Sequence, residues 1–238
     1  MSRRANTQAR CARCRVHKSL CFCDQIQKRV TRTRLLLVIH YREERKPTNT
    51  GMLAAECLTN SAIVIRGRPV EGGNTPMSAS QHRQQDKDAA ASQSELQLDP
   101  SRQALLLFPG DGAQPISNYC NCSKPITLIV PDGNWRQASK MRARIPALKE
   151  VPLVTLPRGT PTSYGLRHEP QENGLATMEA IARAFGFLEG VAIQTELERI
   201  FRLLVERTLW SRGALKDAEV KGGLPPLAVR HDPWSGTR

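Results

Sequence analysis

The sequence predicts an α/β protein: a mostly parallel sheet with flanking helices, joined to a small N-terminal four-cysteine module. Three observations lead there. Apolar runs of strand length recur with no polar alternation, as expected of strands buried on both faces. Stretches of helical composition separate several of them. Four of the seven cysteines fall between positions 11 and 23.

Taken in order, residues 10 to 24, RCARCRVHKSLCFCD, form the first module. TRLLLVIH at 33 to 40 is leucine-rich and β-branched and reads as a buried strand, followed by the polar link YREERKPTNTG. MLAAECLTN (52 to 60) has helical composition, and SAIVIRG (61 to 67) is a second buried strand. Residues 71 to 102 are polar and rich in Ser, Gln, Ala and Asp, which predicts a long surface excursion. QALLLFPG (103 to 110) and ITLIVPDG (126 to 133) supply two more strands, and VPLVTLP (151 to 157) a fifth. Between the last two, NWRQASKMRARIPALK reads as a basic helix stopped near Pro146. LATMEAIARAFGFL and TELERIFRLLVERTLW carry apolar residues at three and four spacing and read as helices. The expected division is a cysteine module over 1–30, a catalytic domain over 31–212 and a loose tail over 213–238.

The 35 Lys and Arg against 22 Asp and Glu give a formal charge of +13, with arginines spread along the whole chain. A polyanionic partner is expected, with RNA, DNA and an anionic membrane surface open on charge alone. No 18-residue apolar run is present and the first residues, MSRRANTQARC, lack an apolar segment, so neither a membrane span nor a secretory signal is expected. The expected compartment is the cytoplasm, where a disulfide framework is disfavoured.

Cys11, Cys14, Cys21 and Cys23 follow the spacing C-x2-C-x6-C-x-C. Two short-spaced pairs allow four thiolates to converge on one ion, the closed shell of a structural zinc site; redox thiols and an iron–sulfur cluster are the competing readings. Flanking Arg10, Arg13, Arg15, His17 and Lys18 favour thiolates and leave a basic rim. Cys57 reads as a packed core thiol, and the second C-x-C, Cys120 and Cys122, as supplying either alternative ligands or no ligand, with the second reading favoured.

In an open parallel sheet ligands collect at the carboxyl ends of the strands. Those ends read His40 with EERKPTNTG, FPGDG, PDGNW and LPRGTPTSYGLR, each with Gly or Pro among polar groups, which predicts a pocket. No phosphate-binding G-x-x-x-x-G-K-[ST], no G-x-G-x-x-G after a strand and no G-x-S-x-G elbow occurs, so NTP hydrolysis, ordinary dinucleotide binding and a serine-hydrolase triad are disfavoured.

Asp132-Gly133-Asn134-Trp135 with the downstream QASKM, then SYGLR (163 to 167) with Pro170, then LATMEA (175 to 180), resemble the ordered signature of the DTW-domain family. The cysteine module, the stretch from His40 to Gly51, and Phe108-Pro109-Gly110 resemble it as well, so the similarity covers about residues 11 to 210. The family implies a SPOUT-like fold with a C-terminal trefoil knot. It also implies transfer of the 3-amino-3-carboxypropyl group of S-adenosylmethionine to N3 of a uridine in the variable loop of tRNA, releasing methylthioadenosine. One position departs from the usual Asp-X-Thr-Trp: Asn134 stands where Thr is expected, and an amide still donates and accepts hydrogen bonds.

On that resemblance the catalytic candidates are Asp132 as the base that takes the N3 proton, Trp135 as a stacking surface, and Asn134 beside them. Helix capping by Asp132 and core packing by Trp135 are the alternative local explanations. The donor would be bound by Phe108, Pro109, Gly110, Leu156, Tyr164, Arg167, Thr177 and Glu179, with Arg167 suited to a carboxylate and Glu179 to the donor's amino group. His40, Glu44, Asn49 and Thr50 would form a second polar wall, and Arg136, Lys140, Arg142 and Arg144 would meet RNA phosphates. No obligate protein partner is expected. The rival readings are a SPOUT-type RNA methyltransferase and a non-catalytic zinc-containing RNA-binding module.

Overall fold

A computed structural model of the chain describes residues 9–47, 49–67, 96–157, 159, 162 and 174–230. Chain contacts group these into two compact units, one built on a sheet (31–46 and 60–157) and one on helices (1–30, 47–59 and 158–238).

The sheet unit holds six strands: β1 (Arg34–His40), β2 (Ser61–Arg66), β3 (Gln103–Leu107), β4 (Gln114–Pro115), β5 (Ile126–Asp132) and β6 (Leu153–Thr155). Their order is β2-β1-β5-β3-β6-β4, and every pair is parallel. This is the mostly parallel sheet with flanking helices that the apolar runs predict. The sixth strand, β4, was not expected, and its Pro115 sits at the sheet edge, where a missing N–H is tolerated. A short helix α1 (Tyr41–Glu44) follows β1, and α3 (Trp135–Arg144) follows β5.

Side chains alternate across a sheet, so Leu36 and Val38 of β1 share a face with Ile129 of β5 and Leu106 of β3. Met141 of α3 packs there with Ile145, Leu148, Val151 and Leu153. Ala138, Met141 and Ile145 recur at helical spacing, which gives the basic helix its single apolar stripe. The end of the expected excursion also belongs to this core: Leu96 is buried in it and Leu98 packs against it. Arg102 then fastens the segment, donating to Thr127 Oγ1 at 3.1 Å and to the Ile126 carbonyl at 2.7 Å. The rest of the excursion, through residue 95, lies outside the described residues.

The helical unit contains α2 (Gly51–Glu56), α4 (Thr177–Glu189) and α5 (Val191–Ser211). Gly190 alone separates α4 from α5, at a φ of +102°, and a side chain on Gly186 would strike Gln194 Oε1 at 1.9 Å. The two helices therefore cross with backbone close to side chain, a geometry only glycine permits. Beyond Ser211, the stretch from Asp217 to Gly223 folds back onto α5. Trp210 Nε1 donates to Asp217 Oδ1 at 2.8 Å, the Gly222 amide donates to Glu206 Oε2 at 2.8 Å, and Val220 is buried. Among the described residues no helix is long and apolar enough to cross a membrane.

Ile129 is fully buried at the centre of the sheet, between β1 and β3. Ile129→Ala is expected to cost about 3 kcal/mol through lost burial and a residual cavity, read as a lower denaturation midpoint with unchanged slope.

Candidate active site and metal centre

The chain leaves β1 toward β2 on one side and leaves β5 toward β6 on the other. Adjacent parallel strands whose connections diverge open a crevice at their carboxyl ends, which is where open α/β sheets bind ligands. The residues at that point are His40, closing β1, and Asp132, closing β5 and paired in register with Ile39.

Asp132 is buried, at 5% exposure, an unusual setting for a carboxylate. The next residues turn at once into α3. Asn134 is the N-cap: its Oδ1 accepts from the Gln137 amide at 2.9 Å, while Gln137 Oε1 accepts from the Asn134 amide at 2.9 Å. This reciprocal capping box stabilises the helix start, and Thr at the same place would cap it by the same chemistry. Gln137 Nε2 lies 3.2 Å from His40 Nδ1, tying the helix start to the end of β1. Gly133 makes the arrangement possible, because a Cβ there would press on Gln137 Cβ at 3.0 Å.

Trp135 occupies the first turn of α3 and is 42% exposed, so it is not core. Its ring rests against Phe108, with centroids 4.8 Å apart and planes tilted by 33°. Phe108 follows β3 directly and its amide donates to the Val154 carbonyl of β6 at 3.1 Å. Pro109 and Gly110 beyond it are exposed, and Leu156 after β6 is half-buried. The strand ends of β5, β3 and β6 thus present one buried carboxylate and an open aromatic pair.

In the helical unit, Ala176 occupies the N-cap of α4 and has no oxygen to offer. Thr50 supplies it from another part of the chain, its Oγ1 accepting from the Met178 amide at 3.2 Å. Glu179, itself buried, accepts from the Ala176 amide at 3.0 Å and from the Thr162 hydroxyl. Thr177 opens the helix, and Asn49 Oδ1 accepts from the Met52 amide at 3.1 Å to start α2. Tyr164 and Arg167 lie outside the described residues.

The four cysteines converge. All four Sγ atoms lie within 4.8 Å of one another, with Cys11 and Cys23 at 3.4 Å and Cys14 and Cys21 at 3.7 Å. A tetrahedral ion bound at the usual Zn–S length separates its sulfurs by about 3.8 Å, so the cluster fits structural zinc. A tight turn presents the first pair: the Cys11 amide donates to the Val16 carbonyl at 2.9 Å, and Arg15 takes a left-handed φ of 65°. Burial pushes the Cys11 thiol up, but hydrogen bonds from the Cys14 and Arg13 backbone and from Cys23 outweigh it and bring it down to about 7. Burial pushes Cys14 and Cys23 up, Cys23 to about 11. Low pH therefore opposes metal loading by holding the thiols protonated.

Behind the cluster sits Arg207 of α5, only 3% exposed. Its Nη1 donates to the carbonyls of Leu20 and Cys21 at 3.0 and 2.8 Å, its Nε donates to the Gly223 carbonyl at 3.1 Å, and it lies 5.7 Å from the centre of the Phe22 ring. Burial pulls this guanidinium below its ordinary value, and the charges of Asp24, Cys14 and Cys21 pull the other way. A zinc ion held by four thiolates is net negative, so the same cation stabilises the loaded centre.

These features define a protein with a parallel sheet, a carboxylate and aromatic pair at its strand ends and a four-cysteine cluster whose spacing fits a metal ion. The chain belongs to the DTW-domain family, whose model matches residues 8–209. It is 27% identical over 189 residues to tRNA-uridine aminocarboxypropyltransferase 2 of Drosophila melanogaster, covering 77% of this chain and 68% of that protein. It is 25% identical to the proteins of the same name from Macaca fascicularis and Mus musculus, and spans 58% of the length of each. No solved structure matches the chain.

Two residues with defined tasks, Gln137 and Arg207, were not singled out by sequence, and a third, Thr50, was given a different task. Gln137 lay within the quoted QASKM, but its double bonding to Asn134 and His40 has no linear signal. Thr50 was expected in a polar wall and is a cap for a distant helix. Arg207 follows an apolar helical stripe, and only its place within that stripe hinted at burial.

Arg207→Met removes three carbonyl contacts and leaves a negative metal cluster unbalanced. It is expected to release zinc to a chelator at least tenfold faster than wild type and to lower the melting temperature, with Arg207→Lys intermediate. Asn134→Thr is expected to keep wild-type stability, whereas Asn134→Ala costs about 1 kcal/mol in thermal or urea unfolding.

Proposed function

We propose that this chain is a tRNA-modifying transferase that moves the 3-amino-3-carboxypropyl group of S-adenosylmethionine to N3 of a uridine, releasing methylthioadenosine. The observation that carries the reading is the buried Asp132 beside the exposed Trp135 at the sheet's switch point, in a chain of the DTW-domain family. The names of the fly, macaque and mouse relatives state the same transfer to tRNA uridine.

The uracil imide is mostly protonated at neutral pH, so the reaction needs a base. In our reading Asp132 accepts the N3 proton as the N3 electron pair forms a bond to the γ-carbon of the donor. The carbon–sulfur bond breaks, its electron pair goes to the sulfonium sulfur, and the leaving thioether is neutral. Trp135, braced by Phe108, offers its open face to a flipped base. Gln137 and Asn134 act through the backbone, fixing the direction in which α3 leaves the site.

Phe108, Pro109, Gly110 and Leu156 are proposed donor contacts on the strand ends, and Thr177, Glu179, Tyr164 and Arg167 are proposed ones from the resemblance. Glu179 already serves the start of α4, so its part in donor binding is shared with a structural one. The variable loop is the proposed location of the uridine, and zinc in the four-cysteine cluster serves the fold. Arg136, Lys140 and Arg144, all exposed on α3, are proposed phosphate contacts.

Incubation with S-adenosylmethionine and unmodified bulk tRNA, followed by mass spectrometry of nucleosides and small products, is expected to yield aminocarboxypropyl-uridine with methylthioadenosine. Asp132→Asn is expected to lower turnover about a hundredfold or more while tRNA binding persists. S-adenosylhomocysteine with a methylated base points instead to a methyltransferase. Binding without turnover on any tRNA points to a non-catalytic RNA-binding module.

A further inference from the structure

The carboxyl edge of the sheet carries a cation that the proposed chemistry does not use. Arg66 closes the edge strand β2 and stands opposite His40 in the parallel register. Its Nε is buried without a hydrogen-bond partner. The Nε atoms of Arg29 and Arg142 are in the same state, but each of those side chains has another anchor. Arg29 pairs with Glu196 at 3.7 Å, and Arg142 donates to the Lys149 carbonyl at 3.0 Å. Among the described residues no side chain or carbonyl takes that part for Arg66.

A guanidinium carries five donors, and leaving one dry and unpaired opposes folding. Burial accordingly pulls Arg66 below its ordinary pKa. Native proteins retain such a group where something outside the chain completes it.

The surroundings indicate an anion. Gly67 turns the chain directly after Arg66 at a φ of +78°, so close that a Cβ would stand 3.4 Å from His40 Nε2 and 3.6 Å from Tyr41 Cδ1. The exposed Arg42 lies over the Tyr41 ring, 5.5 Å from its centroid, and donates to the Tyr41 hydroxyl at 2.9 Å. Arg42 and Arg66 thus flank the His40–Tyr41 corner. The acid buried nearby, Glu43, is engaged by Lys46. Alternation sets Arg66 on the sheet face that α3 covers, together with Val64 and Ala62, and the outer side of α3 bears Arg136, Lys140 and Arg144.

We propose that Arg66, with Arg42, is a receptor for a backbone phosphate of the RNA, beside the crevice that takes the target base. The proposal rests on the tRNA reading above. Two strand spacings, roughly 10 Å, separate the backbone ends of β2 and β5, where Arg66 and Asp132 leave the edge on opposite faces. That is comparable with the span from a pyrimidine's pairing edge to its own phosphate. A base swung out toward Asp132 brings its phosphate toward this rim, where a guanidinium binds two phosphate oxygens in a planar fork.

The test is tRNA binding by wild type, Arg66→Gln and Arg66→Lys across a salt series, with S-adenosylmethionine binding and thermal melting measured on the same samples. Arg66→Gln is expected to lower tRNA affinity about tenfold at low salt and to reduce the slope of log affinity against log salt by about 0.7 to 0.9. It should leave donor binding unchanged and leave the melting temperature equal or higher, because it removes an unpaired buried donor. Arg66→Lys restores the slope without restoring full affinity. Unchanged tRNA binding by Arg66→Gln, in a protein that still forms product, overturns this proposal alone. So does loss of donor binding with tRNA affinity intact, which assigns the guanidinium to the donor's carboxylate. Wild-type protein that binds tRNA with no salt dependence, or not at all, overturns both this proposal and the tRNA reading.

Discussion

All six strands run in the same direction, and the rest of the sheet unit depends on that constraint. Parallel strands cannot be joined by hairpins, so each must hand over to a crossover, and every exit lies on one edge. His40, Arg66, Phe108, Asp132 and Leu156 are far apart in sequence, yet each closes or directly follows a strand. The register decides what they become. Ile39 opposite Asp132 buries the carboxylate between two strands, and Leu106 opposite Leu153 brings Phe108 level with the first turn of α3. A one-residue slip of β5 would turn Asp132 and Ile129 each to the opposite face, which the packing of Met141 and Leu148 with Ile129 opposes.

Buried polar groups elsewhere follow a second logic, that of replacing local partners with distant ones. Ala176 cannot cap α4, and Thr50 does so; the carbonyls of Leu20 and Cys21 stand at the end of a single 3-10 turn, and Arg207 takes both. Such bonds contribute little in sum, because each replaces a bond to water, but losing one partner leaves the other buried and unpaired. Burial in the helical unit comes from the apolar faces of α4 and α5, from Met178 to Phe185 and from Leu197 to Trp210, and these few polar side chains fix the turns around them. The cysteine module shares in this, since α5 holds its peptide carbonyls directly.

The fold class, five of the six strands and the cysteine cluster were legible because their signals are local. A run such as LLLVI has no amphipathic alternative, and four cysteines within thirteen residues have few uses. Boundaries were less legible. Pro109 and Gly110 were read as the stop of a strand that in fact ends at Leu107, one residue short of them, since composition cannot show where a ladder stops finding partners. Leu96 and Leu98 belong to the core although they close a polar stretch, because two leucines among polar residues give no period to read. The tail beyond Ser211 looked loose because Gly and Pro are frequent there. Its attachment through Trp210, Glu206 and Arg207 depends on residues one to two turns back, on a helix face that sequence alone does not orient.

Asn134 shows how the site divides between chemistry and framework. Its amide oxygen accepts the Gln137 amide, and Gln137 in turn reaches back to the Asn134 amide and across to His40. A threonine hydroxyl performs the same capping with one acceptor, so replacing it by asparagine preserves the turn that carries Trp135. The two residues before it have less latitude. Gly133 leaves little room for a side chain, and Asp132 is buried where an amide would bring a donor that the carboxylate does not have. The position that departs from the family's usual residue is thus the one whose task, capping, several residue types can perform.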